Sequence, residues 1–146
     1  MNSYLLTPPG MRLIKCNGVV ITEAPVMPPG LADSEILERR TPEGRTHRER
    51  FCEAQKTINM LAQGWRPSAS ELQHAPNLSA WQPVMLPIGD IILLGFVTGH
   101  PYIRDGKFCS TSPLIAYDAQ LAEWARTVSR WYRLGAPSRL PKTFIN

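Results

Sequence analysis

Short apolar runs alternate with turn residues along most of this chain. Residues 11–22 predict a β-hairpin, because Asn17-Gly18 is a favoured pair for a two-residue type I′ turn. The apolar residues of this hairpin then share one face of the sheet: Ile14, Cys16, Val19 and Ile21. Residues 23–32 contain three prolines and predict an extended connector.

Helical signals follow. Asp33 predicts the cap of a short turn that ends at Arg40, and Thr41-Pro42 predicts the start of a longer helix. The apolar residues of this helix recur at helical spacing: Phe51, Ala54, Ile58, Leu61 and Ala62. Gly64 is the expected stop, because glycine adopts the left-handed conformation that ends helices.

A capping-box pattern at 68–71 predicts a second, shorter helix that ends before Pro76. The longer helix also carries charges of both signs at close spacing: Arg45, Arg48 and Arg50 with Glu43, Glu49 and Glu53. We interpret this pattern as a solvated helix face with ion pairs, rather than as an arm that binds nucleic acid.

The second half of the chain has the rhythm of a sheet. Residues 91–98 predict an apolar strand buried on both faces, followed by turn residues at 99–106. Residues 108–117 predict a second strand. Because Pro113 interrupts it, this strand is expected at an edge or with a bulge.

Residues 124–133 fit two patterns. A helix capped by Asp118 would align one set of residues: Leu121, Trp124, Val128, Trp131 and Gly135. A strand is favoured, because aromatic and β-branched residues are frequent there and the preceding segments read as strands. The predicted fold is therefore α+β: a helical N-terminal half packed on a C-terminal antiparallel β-meander, with an N-terminal hairpin. We expect residues 1–32 to form the hairpin and a proline-rich arm, and residues 33–146 to form a single α+β domain.

Composition narrows the class of protein. The chain has 146 residues, which suits one domain. Its three cysteines lie far apart without a CxxC pair, so we expect free thiols, no metal and no cofactor. No signal peptide or membrane-spanning run is visible, which predicts a cytoplasmic protein without a membrane partner.

The net charge of +4 is unevenly distributed. Residues 119–146 contain five basic residues and one acidic residue. Such a patch favours a polyanion or an acidic protein as partner, although a merely solvated basic surface has the same composition.

Several motifs resemble an uncharacterised family of small bacterial proteins, found mostly in alphaproteobacteria and on their mobile elements. The motifs are Leu61-Ala-Gln-Gly64, Arg66-Pro67, Glu71-Leu72, Ala75-Pro-Asn-Leu78, Trp81, Gly95-Phe-Val-Thr-Gly-His-Pro101, Thr111-Ser-Pro-Leu114 and Trp124-Ala-Arg-Thr-Val-Ser-Arg-Trp-Tyr-Arg-Leu-Gly135. The resemblance covers about residues 56–136 and supports the strand at 124–133. It implies no activity, substrate or catalytic residue, and residues 1–45 lie outside it.

Candidate chemistry is sparse. His100, Arg104 and Asp105 form a candidate polar site in the turn at 99–106. No spacing matches a nucleophile elbow, a Cys/His pair or a metal-binding helix. We therefore expect no catalytic residue and a structural role for His100, with a ring nitrogen bonded to a nearby carbonyl.

Arginine and aromatic residues alternate near the C-terminus and form the candidate partner-binding site: Trp124, Arg126, Arg130, Trp131, Tyr132, Arg133 and Arg139. On an exposed strand this composition suits a protein-binding hot spot or a platform for single-stranded nucleic acid. In a third interpretation, the aromatic side chains fill the core and the arginines pair with aspartates of the same chain.

Four functions follow from these features, in descending order. The first is a non-enzymatic interaction or accessory protein that binds an unknown protein partner through this strand and the basic tail. The second is a nucleic-acid-binding protein that uses the same surface. The third is a structural component of a phage or other particle, which would form oligomers through the N-terminal arm, and the fourth is an enzyme centred on His100.

Overall fold

The structure is a computed structural model that describes residues 13–22, 26–27, 35–87 and 89–139. Its strands are β1 (Leu13–Cys16), β2 (Val19–Thr22), β3 (Asn77–Met85), β4 (Ile91–Thr98), β5 (Phe108–Ser110), β6 (Leu114–Asp118), β7 (Trp124–Thr127) and β8 (Trp131–Leu134). Its helices are a 3-10 turn (Glu35–Glu38), α1 (His47–Ala62) and α2 (Ala69–Leu72). Asp33 and most of the proline-rich connector lie outside the described residues.

All eight strands belong to one mixed sheet in the order β1-β2-β6-β7-β8-β3-β4-β5. β3 and β8 pair in parallel, whereas the other neighbours described are antiparallel. The predicted fold, a helical half packed on a β-meander, is therefore wrong. The first half of the chain contributes β1 and β2 to the same sheet, and α1 is the one long helix described.

The N-terminal hairpin is confirmed. Asn17 and Gly18 have φ angles of 50° and 83°, as a type I′ turn requires. Ile14 pairs with Ile21, so the predicted apolar face forms. β2 continues into the sheet by pairing with β6, which makes this hairpin one end of the large sheet.

Helix α1 begins later than expected. Its N-cap is Thr46, whose hydroxyl accepts a hydrogen bond from the backbone N–H of Glu49 at 3.0 Å. The Glu49 carboxylate accepts the Thr46 N–H in return at 2.8 Å. The predicted start at Thr41-Pro42 is therefore wrong. Those two residues precede the helix, and the reciprocal capping box fixes its start at Thr46. The predicted stop is confirmed by Gly64, which follows the C-cap with a φ of 100°.

Strand β3 has no counterpart in the sequence-based prediction. Its alternation is broken by a bulge between Ser79 and Gln82, where Ala80 adopts a φ of 50°. Pro83 also lies within it, opposite Leu93. A proline and a bulge both hide the two-residue period that identifies strands, which explains the omission.

Two predicted strands are each divided. The segment 108–117 forms edge strand β5 and central strand β6, and the segment 124–133 forms the β7–β8 hairpin. In the turn of that hairpin, Thr127 N–H donates to the Arg130 carbonyl at 2.9 Å. Burial along β4 alternates, so the expected burial on both faces is wrong as well.

Two apolar clusters cover the sheet. One combines β3 and β4 with β6, β7 and β8, and it places the Trp81 and Tyr117 rings 5.9 Å apart. The other packs α1 against β2, β6 and β7. β6 lies between them and is buried along its whole length. Within the described ranges, no helix is long and apolar enough to cross a membrane.

Candidate functional site

The predicted partner-binding ribbon is largely internal. Trp124, Arg126 and Tyr132 are buried, with exposed fractions of 6%, 6% and 4%. Trp124 belongs to the cluster beneath α1, and Tyr132 belongs to the other cluster. Burial raises the pKa of Tyr132 to about 12. The expectation of a solvent-facing ribbon is therefore wrong for these residues, because both faces of the β7–β8 hairpin are covered.

The other four residues of that set are dispersed. Trp131 is half-buried and packs against Trp124 and Trp65, with ring centroids 5.3 and 6.1 Å away. Arg133 is exposed, and its Nε donates to the Ala75 carbonyl at 3.1 Å. The rest of the set comprises Arg139, which is exposed, and Arg130, which is half-buried.

The candidate polar site shapes its own turn. His100 Nδ1 accepts the backbone N–H groups of Tyr102 and Ile103 at 3.0 and 3.2 Å, and Asp105 accepts that of Gly99 at 2.8 Å. Arg104 is exposed beside them. Burial and the nearby Arg130 charge lower the pKa of His100. The His100 ring nitrogen thus accepts backbone N–H groups, whereas the sequence predicted a bond to a carbonyl. The effect of the Arg130 charge on His100 shows that the turn lies close to Arg130.

A basic pocket of about 300 Å³ lies where this turn meets the start of α1. We define the basic pocket by its lining residues: Arg40, Thr41, Pro42, Glu43, His47, Arg50, Tyr102, Ser129 and Arg130. They come from three parts of the chain, namely the segment before and into α1, the turn after β4 and the β7–β8 turn. Of these residues, Arg130 belonged to the predicted site.

The Glu43 carboxylate connects two arginines at the wall of the pocket. Glu43 Oε1 accepts hydrogen bonds from Arg45 and Arg130, each at 3.1 Å. Arg45 also donates to Glu53 at 2.8 Å and to the Ser129 carbonyl at 3.0 Å. Burial opposes the charge of Arg45, but its hydrogen bonds to Glu53 and Glu43 raise its pKa overall. The chain of contacts joins the start of α1 to the β7–β8 turn.

Two polar atoms of the pocket lack partners. Thr41 Oγ1 and Arg50 Nε are buried without a hydrogen bond to any part of the chain that the structure describes. Arg50 does contact His47, with its Nη1 2.8 Å from His47 Nδ1. Because arginine only donates, Nδ1 must accept, and the neutral His47 ring then carries its proton on Nε2. Burial and the Arg45 charge lower the pKa of Arg50.

Arg126 lies on β7, close to the β7–β8 turn, and carries a buried charge. Its Nε makes no hydrogen bond within the described residues. Burial, followed by the charges of Arg45 and Arg130, lowers its pKa to about 10, although the Glu53 charge opposes this shift. Arg126 therefore remains charged at neutral pH. The guanidinium lies over the Trp131 ring, 5.5 Å from its centroid. Buried charges normally have an ionic or hydrogen-bonding partner, because desolvation costs several kcal/mol.

The balance of charge around the pocket is positive. Three glutamates (Glu43, Glu49 and Glu53) are near five arginines: Arg40, Arg45, Arg50, Arg126 and Arg130. Two positive charges are therefore in excess. The expected ion pairs form for Arg45, with Glu43 and Glu53. Arg48 instead pairs with Glu38, which was not among the expected partners, and Arg50 is half-buried rather than part of a solvated face.

A second groove adjoins the basic pocket. It has a volume of about 350 Å³ and is lined by Tyr102, Ile103, Arg104, Lys107, Phe108 and Cys109. Tyr102 borders both pockets, so it separates them. Phe108 packs edge-on against Phe96 across β4 and β5, with centroids 5.1 Å apart, and both rings remain about half exposed.

The described residues contain no cluster of metal-binding side chains. In the ranges given above, no three His, Cys, Asp or Glu side chains cluster in a way that could hold a metal ion. Cys16, Cys52 and Cys109 are free thiols.

Comparison with protein-family models assigns the chain to a family. Residues 46–139 match the model of DUF6634, a family of unknown function. The chain belongs to this family. The DUF6634 match includes most of the basic pocket and all of β3–β8, whereas Arg40–Arg45 lie before it. It confirms the resemblance to an uncharacterised family. Neither the curated proteins nor the solved structures contain a match.

Most of the pocket could not be recognised from the sequence. Arg45 and Ser129 are 84 residues apart, and Glu43 and Arg130 are 87 residues apart. The density of arginines between 39 and 50 was the available signal, and it was interpreted as a helix surface. Arg50 departs from that interpretation because it turns toward the pocket.

Proposed function

We propose that this chain is a non-enzymatic binding module that holds a macromolecular partner by an anionic group seated in the basic pocket. The module would serve as an accessory or regulatory protein of a bacterium or mobile element. This proposal keeps the partner-binding function expected from the sequence and moves its centre from the β7–β8 strands to the pocket beside Arg130.

The observation that carries the proposal is the buried guanidinium of Arg126, whose Nε makes no hydrogen bond within the described residues. Its charge acts on Arg45 and Arg130, and those two arginines share the single carboxylate of Glu43. An anion bound beside Arg130 would offset this excess charge in a partly desolvated site, where electrostatic attraction is stronger than in bulk water.

The donors suit an oxyanion. Guanidinium groups present N–H donors in a planar fork that matches carboxylate and phosphate oxygens. Arg50 and Thr41 line the pocket, and each has a buried polar atom without a partner within the described structure, namely Arg50 Nε and the Thr41 hydroxyl. An oxyanion that reaches these atoms would satisfy both groups.

Binding is favoured over catalysis by the state of the two nearby histidines. His100 uses Nδ1 to hold its own turn, and His47 uses Nδ1 to accept from Arg50. Burial, followed by the Arg130 charge, lowers the pKa of His100 and so disfavours its protonated imidazole. A general acid–base cycle would require that protonated form.

Inorganic phosphate tests the proposal. Its effect on the midpoint of urea unfolding is measured against sodium chloride at matched ionic strength, because a ligand that binds the folded state raises stability with concentration. We expect wild type to be stabilised. Arg130→Gln should weaken binding by about tenfold or more, as expected for a lost charge-assisted hydrogen bond of roughly 1.5–3 kcal/mol.

Arg133→Gln is the matched control. It removes the same charge from the same hairpin, but Arg133 donates to Ala75 and does not line the pocket. Its phosphate affinity should equal that of wild type. Equal losses in the two variants, or no stabilisation of wild type beyond that of chloride, would refute the proposal.

A further inference from the structure

We infer that the partner is a single-stranded nucleic acid that ends in a phosphate monoester. The terminal phosphate occupies the basic pocket, and the adjoining nucleotides follow Tyr102 into the second groove. This inference rests on the proposed function and adds the chemical class of the partner.

The position of Tyr102 carries the inference. Its ring is 54% exposed and forms a wall of both the basic pocket and the second groove. The ring also contacts His100, with centroids 6.2 Å apart, and the His100 ring nitrogen accepts the Tyr102 N–H. Tyr102 is therefore an exposed aromatic face held by a fixed turn between two cationic recesses. A base beside a bound phosphate can stack on such a face.

The second groove continues this pattern. Arg104 and Lys107 line it, both are exposed, and neither side chain has an ion pair or hydrogen bond within the described residues. Asp105 lies between them in sequence, and its carboxylate accepts the Gly99 N–H, which stabilises the turn. The two cations are available for further backbone phosphates.

Exposed rings lie next to those cations. Phe108 lines the groove at 51% exposure and contacts Phe96, which is 44% exposed on the outer face of β4. Cations that track a backbone and aromatic faces that stack bases together characterise sites for single strands. A duplex keeps its bases paired and offers these rings no base face.

The charge of the terminal group follows from the pocket. Two positive charges are in excess among the arginines and glutamates around it. A phosphate monoester carries about −1.5 to −2 at neutral pH, whereas an internal phosphodiester carries one negative charge. A terminal phosphate therefore matches the excess more closely than an internal one.

Fluorescence anisotropy with labelled single strands of about eight nucleotides, within the site size of known binders, tests this inference. The strands carry a 5′-phosphate, a 3′-phosphate or hydroxyl groups at both ends. We expect one phosphorylated strand to bind at least about tenfold more tightly than the hydroxyl strand, as one charge-assisted contact of roughly 1.5 kcal/mol or more predicts. Phe108→Ala changes the second groove but not the basic pocket, so it should weaken binding of that strand and leave the affinity for inorganic phosphate unchanged. Tyr102→Ala alters both recesses and should weaken binding of that strand further.

Salt dependence tests the path along the groove. Replacing Arg104 and Lys107 together by Gln should flatten the log–log salt slope by roughly 1 to 1.5, since each phosphate contact on a single strand contributes about 0.7. Arg133→Gln should leave the slope unchanged. Equal slopes in the double variant and wild type would contradict the path.

The outcomes separate this inference from the proposed function. If inorganic phosphate stabilises the protein but no strand binds, the inference fails and the proposed function stands. If a phosphorylated peptide of similar length binds more tightly than every strand, the partner is a protein and the inference is overturned. If neither phosphate nor any strand binds, both are wrong. Equal affinity for all three strands would refute the claim that a terminal phosphate binds in the basic pocket.

Discussion

Arg126 and Trp131 are direct partners across β7 and β8, and the Arg126 guanidinium lies 5.5 Å from the centroid of the Trp131 ring. A cation over an aromatic face contributes about 0.5–2 kcal/mol. Burying a charge costs several kcal/mol, so the ring offsets only part of this cost. The positive charge that the ring leaves uncompensated would favour the binding of an anion in the basic pocket.

Glu43 competes with any anion in the pocket, because its Oε1 accepts from both Arg45 and Arg130. Glu43→Gln removes this negative charge. We expect inorganic phosphate to bind about twofold to fivefold more tightly, since partly exposed ion pairs contribute up to about 1 kcal/mol. Isothermal titration calorimetry measures the affinity, and the free energy of unfolding should fall by no more than about 1 kcal/mol.

Glu123→Gln is the matched control for Glu43→Gln. Glu123 precedes β7 at the opposite end of the hairpin, where its carbonyl accepts the Leu134 N–H. Its replacement should leave phosphate affinity unchanged. Weaker phosphate binding in Glu43→Gln would mean that Glu43 organises the pocket for its ligand instead of competing with it.

The turn that carries Tyr102 should loosen in acid. His100 Nδ1 accepts two backbone N–H groups, and burial followed by the Arg130 charge lowers its pKa. The unfolded chain then binds more protons once the pH falls below the ordinary histidine value of about 6.5, so stability is full above that pH and declines below it. His100→Asn keeps an acceptor and removes the titration.

Urea unfolding at about pH 7.5 and about pH 5.5, on either side of the histidine range, measures this effect. We expect His100→Asn to lose less stability between the two values than wild type. The exposed His74, changed to Asn, serves as the control and should behave as wild type. Identical losses in wild type and His100→Asn would show that His100 does not couple protonation to folding.

The capping box holds the start of α1 beside the pocket. Thr46→Ala removes the hydroxyl that accepts from Glu49 N–H, which should lower the free energy of unfolding by about 1 kcal/mol. Thr57→Ala is the control. Its hydroxyl donates to the Glu53 carbonyl within the same helix, a bond that adds little stability. Equal effects of the two variants in chemical unfolding would argue against the assigned N-cap.

Gly95 tests the close approach of β3 and β4. A Cβ atom at this position would lie 2.8 Å from Leu78 Cγ and 3.0 Å from the Ser79 carbonyl oxygen. We expect Gly95→Ala to lower the free energy of unfolding by about 1–3 kcal/mol, as overpacking does. Thr98→Ala on the exposed end of the same strand should cost less. An unchanged unfolding midpoint in Gly95→Ala would contradict this packing.

Local signals in the sequence were sufficient for several elements. Asn17-Gly18 predicted the hairpin, Gly64 predicted the end of α1, and the pattern at Ser68 predicted α2, whose N-cap accepts the Glu71 N–H. Each prediction depends on the conformational preference of a few neighbouring residues. The start of α1 shows the limit of such local signals. Thr41-Pro42 and Thr46 can both begin a helix, and the reciprocal hydrogen bonds between Thr46 and Glu49 select Thr46.

Longer-range features were not readable. β3 was missed because Pro83 and the bulge at Ala80 obscure its period. The β7–β8 strands contain the expected residue types, but pairing on both sides and helix α1 bury Arg126. The basic pocket depends on contacts such as that between Glu43 and Arg130. These two residues are 87 positions apart in the sequence, so no local pattern predicts their contact.

The phosphate response of Arg126→Met tests the central claim most directly. Methionine has similar length and no charge, so the variant should be more stable than wild type without ligand by about 1–4 kcal/mol, as for other buried charges replaced by apolar residues. Its affinity for inorganic phosphate should fall by about tenfold or more, the equivalent of roughly 1.4 kcal/mol. Urea unfolding with and without phosphate measures both quantities. A variant that is less stable than wild type and binds phosphate equally well would contradict the account.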